Sequence, residues 1–389
     1  MKLNPARRMN LPSNFFASLH LRLEEYCSEG RDIIRLDEGS PDLPPAPHII
    51  EALKSSVSLP DVHGYQSHRG THALRAAWSE MYLREFGVEL SPDSEVYPLL
   101  GSKEGIITLT LSFVDPGDIV LVPNPGYMSY ERGALIAGGA VYSMDLKSED
   151  NYLPDLNVIQ EDILCKTKLM WLNYPNNPTA SVANRSFFSQ VVSLAQEYNF
   201  LLCHDAAYAQ ITFENTKPLS LLEIPDAKQV SVEFNSLSKS HNMAGWRCGA
   251  VVGNSEVLKN FIKLKTNVDS GHFLPIMEAS TVALTSDQHW LLERNEIYRQ
   301  RRDIVVTALH EMGLQARIPV ASIYVWSPVP SGWNCLDFAS SVLDKAGVSL
   351  TPGIVFGLGG EGYFRLSLTK DLERIKLAMD RLKIWMQNI

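Results

Sequence analysis

The densest group of chemically capable residues lies around Lys239, in the run Asn235-Ser236-Leu237-Ser238-Lys239-Ser240-His241, with Arg247 eight positions beyond the lysine. Apolar runs flank it, Val230 to Phe234 and Cys248 to Val252, so the pattern places the lysine in a short loop between two buried strands. Burying an amine disfavours its charged form and leaves it a nucleophile towards carbonyl carbon. A lone lysine is far more often a solvated surface residue, so the weight rests on its neighbours. Two other residues need partners. Asp205 follows the apolar run Phe200 to Cys203; a buried carboxylate there requires a donor, although the position also suits a helix N-cap. Arg365 stands in the apolar run Tyr363 to Leu368, where a guanidinium requires an anion.

The spacing Ser236-x-Ser238-Lys239, with Gly245-x-Arg247 after it, resembles the lysine signature of the class I and II aminotransferases, fold type I enzymes that use pyridoxal 5′-phosphate. Other stretches are similar to that family in the same order along the chain. They are Gly39-Ser40-Pro41-Asp42, Gly64-Tyr65-Gln66-Ser67-His68-Arg69-Gly70, Gly101-Ser102-Lys103-Glu104-Gly105, Asn173 to Thr179, and His204-Asp205-Ala206-Ala207-Tyr208. The resemblance spans nearly the whole chain. Within the family, several stretches look closest to the LL-diaminopimelate aminotransferases and the neighbouring aspartate and alanine enzymes. Two departures stand out. Ala180 follows Asn-Pro-Thr where glycine is usual, and His68 stands where diaminopimelate-specific relatives tend to carry an acid.

The resemblance implies a role for each matching residue. Lys239 holds the cofactor covalently and moves the substrate's proton. Asp205 pairs with the pyridinium nitrogen, which favours the electron-accepting ring. Asn177 and Tyr208 reach the cofactor's 3-oxygen. Ser102, Lys103, Ser236 and Arg247 hold the phosphate, with Tyr65 contributed across a homodimer with shared active sites. Tyr127 stacks on the ring; Tyr130, one turn away, suits that place equally. Gly39, Asn177 and Arg365 bind the substrate α-carboxylate. Taken alone, Tyr65 also reads as a tyrosine packed on a core, and Asn177-Pro178 as a plain turn.

Composition bounds the rest. The chain has 389 residues, 45% hydrophobic and 20% charged, with a net charge of −9, which argues against nucleic acid or an anionic membrane as partner. Five scattered cysteines with no C-x-x-C pair indicate no metal site and suit a reducing cytoplasm. Met1 to Asn10 carries basic residues with no apolar run after them, so no secretory signal is expected, and no apolar run is long enough to span a membrane.

Strands at 95–101, 118–122, 168–172, 200–203 and 230–234, each ending in one of these loops, with helical stretches between several, give an α/β class with a mostly parallel sheet. Ile106 to Val114 is open between helix and strand, and Glu278 to Met312 reads as one helix. The run Gly357-Leu358-Gly359-Gly360-Glu361-Gly362 matches a dinucleotide fingerprint, but a strand rather than a helix follows it, so it reads as a loop leading to Arg365. The resemblance implies a large cofactor domain at 46–280 and a smaller α/β domain from 281–389 with part of 1–45.

The activity implied is transfer of an amino group between an L-amino acid and a 2-oxo acid. One pair is expected to be glutamate and 2-oxoglutarate; LL-diaminopimelate, aspartate or alanine are candidates for the other. Selection among them is expected around His68, Tyr127 and Asn267. A carbon–sulfur lyase of the same fold is the alternative enzyme, and a non-catalytic cofactor-binding regulator the alternative outside enzymes.

Overall fold

The structure, a computed structural model, describes residues 3–9, 11–12, 15–214, 216–217 and 219–388. Met1, Lys2, Asn10, Ser13 and Asn14 of the expected N-terminal arm lie outside these. The strands in chain order are β1 (Ile34–Arg35), β2 (Val96–Leu99), β3 (Ile119–Asn124), β4 (Ala140–Asp145), β5 (Thr167–Asn173), β6 (Leu201–Asp205), β7 (Ser231–Ser236), β8 (Gly249–Gly253), β9 (Tyr324–Pro328), β10 (Val348–Ser349), β11 (Thr351–Pro352) and β12 (Tyr363–Ser367).

Seven of these form one sheet in the order β2-β8-β7-β6-β5-β3-β4. β4, β3, β5, β6 and β7 pair in parallel, and β8 runs antiparallel to both of its neighbours. Parallel strands bring their carboxyl ends, and the loops after them, to one edge. The reversal of β8 puts its beginning at that same edge, which is how Arg247, two residues before it, joins loops that follow the other strands. Every residue of β2, β7 and β8 is buried, as expected for strands covered on both faces. β4 is an edge strand in which only Met144 is buried. Its apolar run is only Ala140-Val141-Tyr142 before Ser143 interrupts it, which explains why the sequence does not single it out.

Antiparallel β11-β12-β9 form a second sheet, and β1 pairs in parallel with β10. Ile34 in β1 and Leu36 just after it share a core with Val305, Phe338, Phe364 and Leu382 from the other end of the chain.

Several local expectations are corrected or settled. Lys239 lies on a one-turn helix, Leu237–Ser240, rather than a loop, because the Ser236 hydroxyl caps it by accepting from the Ser238 amide at 3.2 Å. The ambiguous Ile106 to Val114 is helical up to Phe113, in helix Ser102–Phe113, whose buried Ile106, Leu109 and Thr110 recur at helical spacing; Val114 is its extended C-cap. The single helix expected at 278–312 is two, Leu274–Thr285 and Trp290–Glu311. Ser286 between them is extended, and the Gln288 side chain donates to the carbonyls of Ala283 and Ser286, ending the first helix without glycine or proline. The glycine-rich run at 357–362 leads into β12, with the Gly359 amide donating to the Asn124 side chain at 2.9 Å.

Candidate active site

The carboxyl edge of the large sheet opens into a cleft of about 480 Å3, closed on its far side by β9, β12 and the segment after β1. Gly39, Ser102, Tyr127, Asn177, Asp205, Tyr208, Lys239 and Arg365 all line it. They come from seven separate segments of the chain, so the fold converges residues that the sequence scatters over more than 300 positions.

Asp205 ends β6 and is 5% exposed. One carboxylate oxygen accepts from the Tyr130 hydroxyl at 2.8 Å and the other from the Ala207 amide at 3.2 Å. Burial raises its pKa, opposed by the Tyr130 hydroxyl, the Ala207 amide and the positive charges of His204 and Lys239. Tyr130 itself stacks on Trp171, with ring centroids 5.0 Å apart, which separates the two aromatic candidates: Tyr130 partners Asp205, while Tyr127 is half-buried at the cleft wall.

Lys239 is held from below by its one-turn helix, and its amine donates to the Gly39 carbonyl. Burial lowers its pKa; Arg365 and Arg247 push the same way, against Tyr324 and Asp205. A Cβ at Gly39 would strike the Tyr324 hydroxyl, so only glycine allows the loop this close to Lys239.

Arg365 is 3% exposed on β12 and donates to Asn177 Oδ1 at 2.8 Å and to the Asp37 carbonyl at 2.9 Å. Its guanidinium lies 4.1 Å from the Tyr324 ring centroid and 4.7 Å from that of Phe356. No carboxylate pairs with it among the described hydrogen bonds and ion pairs, so its charge faces the cleft uncompensated, ready for a ligand carboxylate.

At the other end, Gly101 (φ 83°) opens helix Ser102–Phe113, and its first-turn amides form an anion-binding terminus. A Cβ on Gly101 would collide with the Arg247 guanidinium. Arg247 donates to the Ala244 carbonyl at 2.8 Å and reaches the Ser238 hydroxyl at 3.4 Å. Four expected residues do not line the cleft of their own chain. Arg247 stands behind the end of the cleft at Gly101 and Ser236 lies beneath Lys239, Lys103 is exposed, and Tyr65 is 97% exposed. Of the residues expected to select the substrate, only Tyr127 lines the cleft. His68 and Asn267 are exposed elsewhere, held to the carbonyls of Asp269 and Lys263. His20, Arg35 and Glu38 occupy the cleft mouth instead.

Sequence reasoning missed Tyr324, whose hydroxyl lies 3.0 Å from that of Tyr208, and Asn173, whose side chain donates to the Asp205 carbonyl and accepts from the Asn177 amide. Asn173 stands inside a recognised stretch, but nothing in the pattern of β9 marks Tyr324. The donor set fits a phosphorylated pyridine aldehyde: a cation and a helix terminus for the phosphate, a buried carboxylate for the ring, and an amine of lowered pKa for the aldehyde.

A buried histidine beneath Lys239 gives the site an acid limit. Burial, and then the charge of Arg294, hold His241 at a pKa of about 3. Its ring nitrogens lie 2.9 Å from the Ser240 hydroxyl and 3.0 Å from Gln288 Oε1, so a neutral ring is satisfied. The unfolded chain protonates His241 near its ordinary value of 6.5 and the folded chain does not, so stability falls as pH drops from about 6.5 towards about 3. The loss reaches about 1.4 kcal/mol per pH unit within that window. His241→Gln is expected to flatten the fall of melting temperature over this range. An acid limb as steep as that of the parent protein would show that His241 does not set it.

Comparison with known proteins adds to this geometry. The family described as aminotransferase class I and II matches residues 31–382. An LL-diaminopimelate aminotransferase of Moorella thermoacetica is 44% identical over 382 residues, covering 98% of each chain. One of Aquifex aeolicus is 44% identical over 373 residues, covering 96% of each. Among solved structures, substrate-bound BacF of Bacillus subtilis superposes with a TM-score of 0.96 at 36% identity, covering 99% of this chain and 98% of that one. An aspartate aminotransferase of Thermotoga maritima superposes with a TM-score of 0.92 at 27% identity, covering 98% and 100%.

Proposed function

This chain belongs to the class I and II aminotransferases, pyridoxal 5′-phosphate enzymes of fold type I, and from that premise we propose that it moves an amino group between glutamate/2-oxoglutarate and a second amino acid, LL-diaminopimelate first among the candidates. The observation that carries the reading is the meeting of Lys239, Asp205 and Arg365 in one cleft. The cofactor supplies an aldehyde for the amino group and a ring that accepts electrons from the substrate's α-carbon. Lys239 takes the α-proton and returns it. Asp205 would accept a hydrogen bond from the ring nitrogen, and Tyr208 and Asn177 would serve the 3-oxygen. Arg365, Asn177 and Gly39 hold the α-carboxylate, which fixes the direction of the bond that breaks. Ser102, Lys103, Ser236 and Arg247 serve the phosphate.

The second substrate rests on the relatives, several of which carry the name LL-diaminopimelate aminotransferase. Arg365 binds a group common to all amino acids, so it cannot choose among them. Aspartate and alanine remain as the second reading because Arg365 would serve their α-carboxylate equally. The test adds each amino acid to the cofactor-loaded protein and follows loss of the cofactor's aldehyde absorbance. Rapid conversion by glutamate and LL-diaminopimelate is expected. Conversion by aromatic or branched amino acids alone would overturn the reading, and release of ammonia and pyruvate from cystathionine would instead mark a carbon–sulfur lyase.

The same reading includes a cytoplasmic homodimer and the division into a cofactor domain at 46–280 and a small domain drawn from both termini. The shared core of Ile34, Leu36, Phe338 and Leu382 supports that division. Tyr65 is 97% exposed on its own chain, which supports its serving a second copy. Mixing inactive Lys239→Ala with an inactive Tyr65→Ala variant is therefore expected to restore part of the activity, up to about a quarter, through hybrids with one intact site. This fraction follows from random pairing of two subunit types, by the symmetry of a two-fold dimer. A fully active monomer on sedimentation would refute it.

A further inference from the structure

One residue before Asp205 lies a buried pair that the proposed reaction does not use. His204 and Glu233 are opposite each other in the register of β6 and β7, and both are wholly buried. His204 Nδ1 is 2.7 Å from Glu233 Oε2, and Nε2 is 3.1 Å from the Tyr174 carbonyl. Both ring nitrogens face acceptors. Glu233 Oε1 accepts from the hydroxyls of Tyr82 and Ser220, each at 2.9 Å, and Oε2 accepts from the Leu221 amide at 2.8 Å. With His204 that makes four donors around one carboxylate, which fills its lone-pair directions and leaves no place for a carboxyl proton. The arrangement is that of an imidazolium against a carboxylate. The Phe188 ring closes the histidine off at 5.1 Å between centroids.

A buried ion pair gains little stability over apolar residues of the same volume, so its location asks for a further explanation. β6 delivers Asp205, and β7 leads through Ser236 to Lys239. The two strands are tied again just beyond the pair, where the Ala206 amide donates to the Phe234 carbonyl at 2.8 Å. We propose that the His204–Glu233 pair positions Asp205, clamping β6 to β7 one residue short of it and fixing a positive charge beside its carboxylate. The proposal rests on the reading that Asp205 meets the cofactor's ring nitrogen. Successive residues on a strand point to opposite faces, so the imidazolium acts through the sheet without touching cofactor or substrate. A cation there makes Asp205 a weaker base, and the proton of the shared hydrogen bond stays on the ring nitrogen. With His204 neutral, that proton moves towards Asp205 and the ring withdraws electrons less.

The test uses full-length protein loaded with pyridoxal 5′-phosphate carrying 15N in its ring, with histidine also 15N-labelled. In the parent protein His204 should carry protons on both nitrogens and the ring nitrogen should be protonated. Glu233→Gln keeps an acceptor for Tyr82 and Ser220 but removes the anion. It should leave His204 with one proton, shift the ring-nitrogen signal towards the unprotonated position, and lower kcat about tenfold with KM within about twofold, one unit of basicity at Asp205 being a factor of ten. Tyr82→Phe removes a donor without touching the charges and should leave the ring signal in place. His204→Gln, which still donates to Glu233 but is uncharged, should reproduce the shift if Glu233→Gln fails to fold. A singly protonated His204 in the parent protein overturns the proposal. So does an unmoved ring signal in Glu233→Gln or His204→Gln when Asp205→Asn moves it. A ring signal that does not respond to Asp205→Asn overturns the reading of Asp205 instead.

Discussion

Lys239→Ala is expected to fold, to retain pyridoxal 5′-phosphate through its phosphate and ring contacts, and to lose turnover by at least about 10^4-fold. That scale follows from removing both a nucleophile and the acid–base group that acts with it. The amine is half-buried and donates to the Gly39 carbonyl, on a one-turn helix capped by Ser236. Burial lowers its pKa, which raises the fraction of free amine at neutral pH above that of a surface lysine. Borohydride treatment of the loaded parent protein should attach the cofactor to the peptide containing Lys239. Attachment to another lysine on peptide mapping would remove the central role given to this residue.

Asp205→Ala should have the second largest effect, a loss of about 10^2–10^3-fold in kcat, the scale set by removing one preorganised electrostatic partner from a dry site. Cofactor uptake should survive, because the phosphate end is built from other segments. Exchange of the substrate α-proton with solvent should fail, which separates a lost electron sink from lost binding. The substitution also leaves the Tyr130 hydroxyl without its acceptor, so Asp205→Asn, which keeps that bond, controls for disturbance of the Tyr130–Trp171 stack. Tyr208→Phe should be far milder, since Tyr208 shares its environment with the Tyr324 hydroxyl at 3.0 Å. Near-normal activity in Asp205→Ala would exclude the role.

The parts legible in the sequence were those encoded locally. Strands buried on both faces give unbroken apolar runs, and β5, β6 and β7 all lie within two residues of where those runs place them. The loops at their ends carry residues whose types make sense only with partners, as Asp205 and Arg365 show. What was not legible depends on contacts distant in sequence. Tyr324 reaches Tyr208 across 116 positions, and no pattern in β9 announces it. β4 escaped because, at the edge of the sheet, its apolar run is only three residues long before Ser143 breaks it. The break at Ser286 escaped because a glutamine side chain supplies the cap that glycine or proline would have advertised.

The pairing of β1 with β10 has a consequence in time. Ile34 and Leu36 find most of their core, and Asp37 its hold on Arg365, only when residues 348–368 have left the ribosome. At roughly 5–20 residues per second, the interval between the two segments is about 15–60 s. Throughout it the early segment has no strand to pair with, and for about the last 5–20 s of it the sheet between 96 and 253 already has all of its strands. Substitutions that make residues 33–36 more apolar are therefore borne by the nascent chain before the finished enzyme can benefit from them, and their effect should appear first as lower soluble yield.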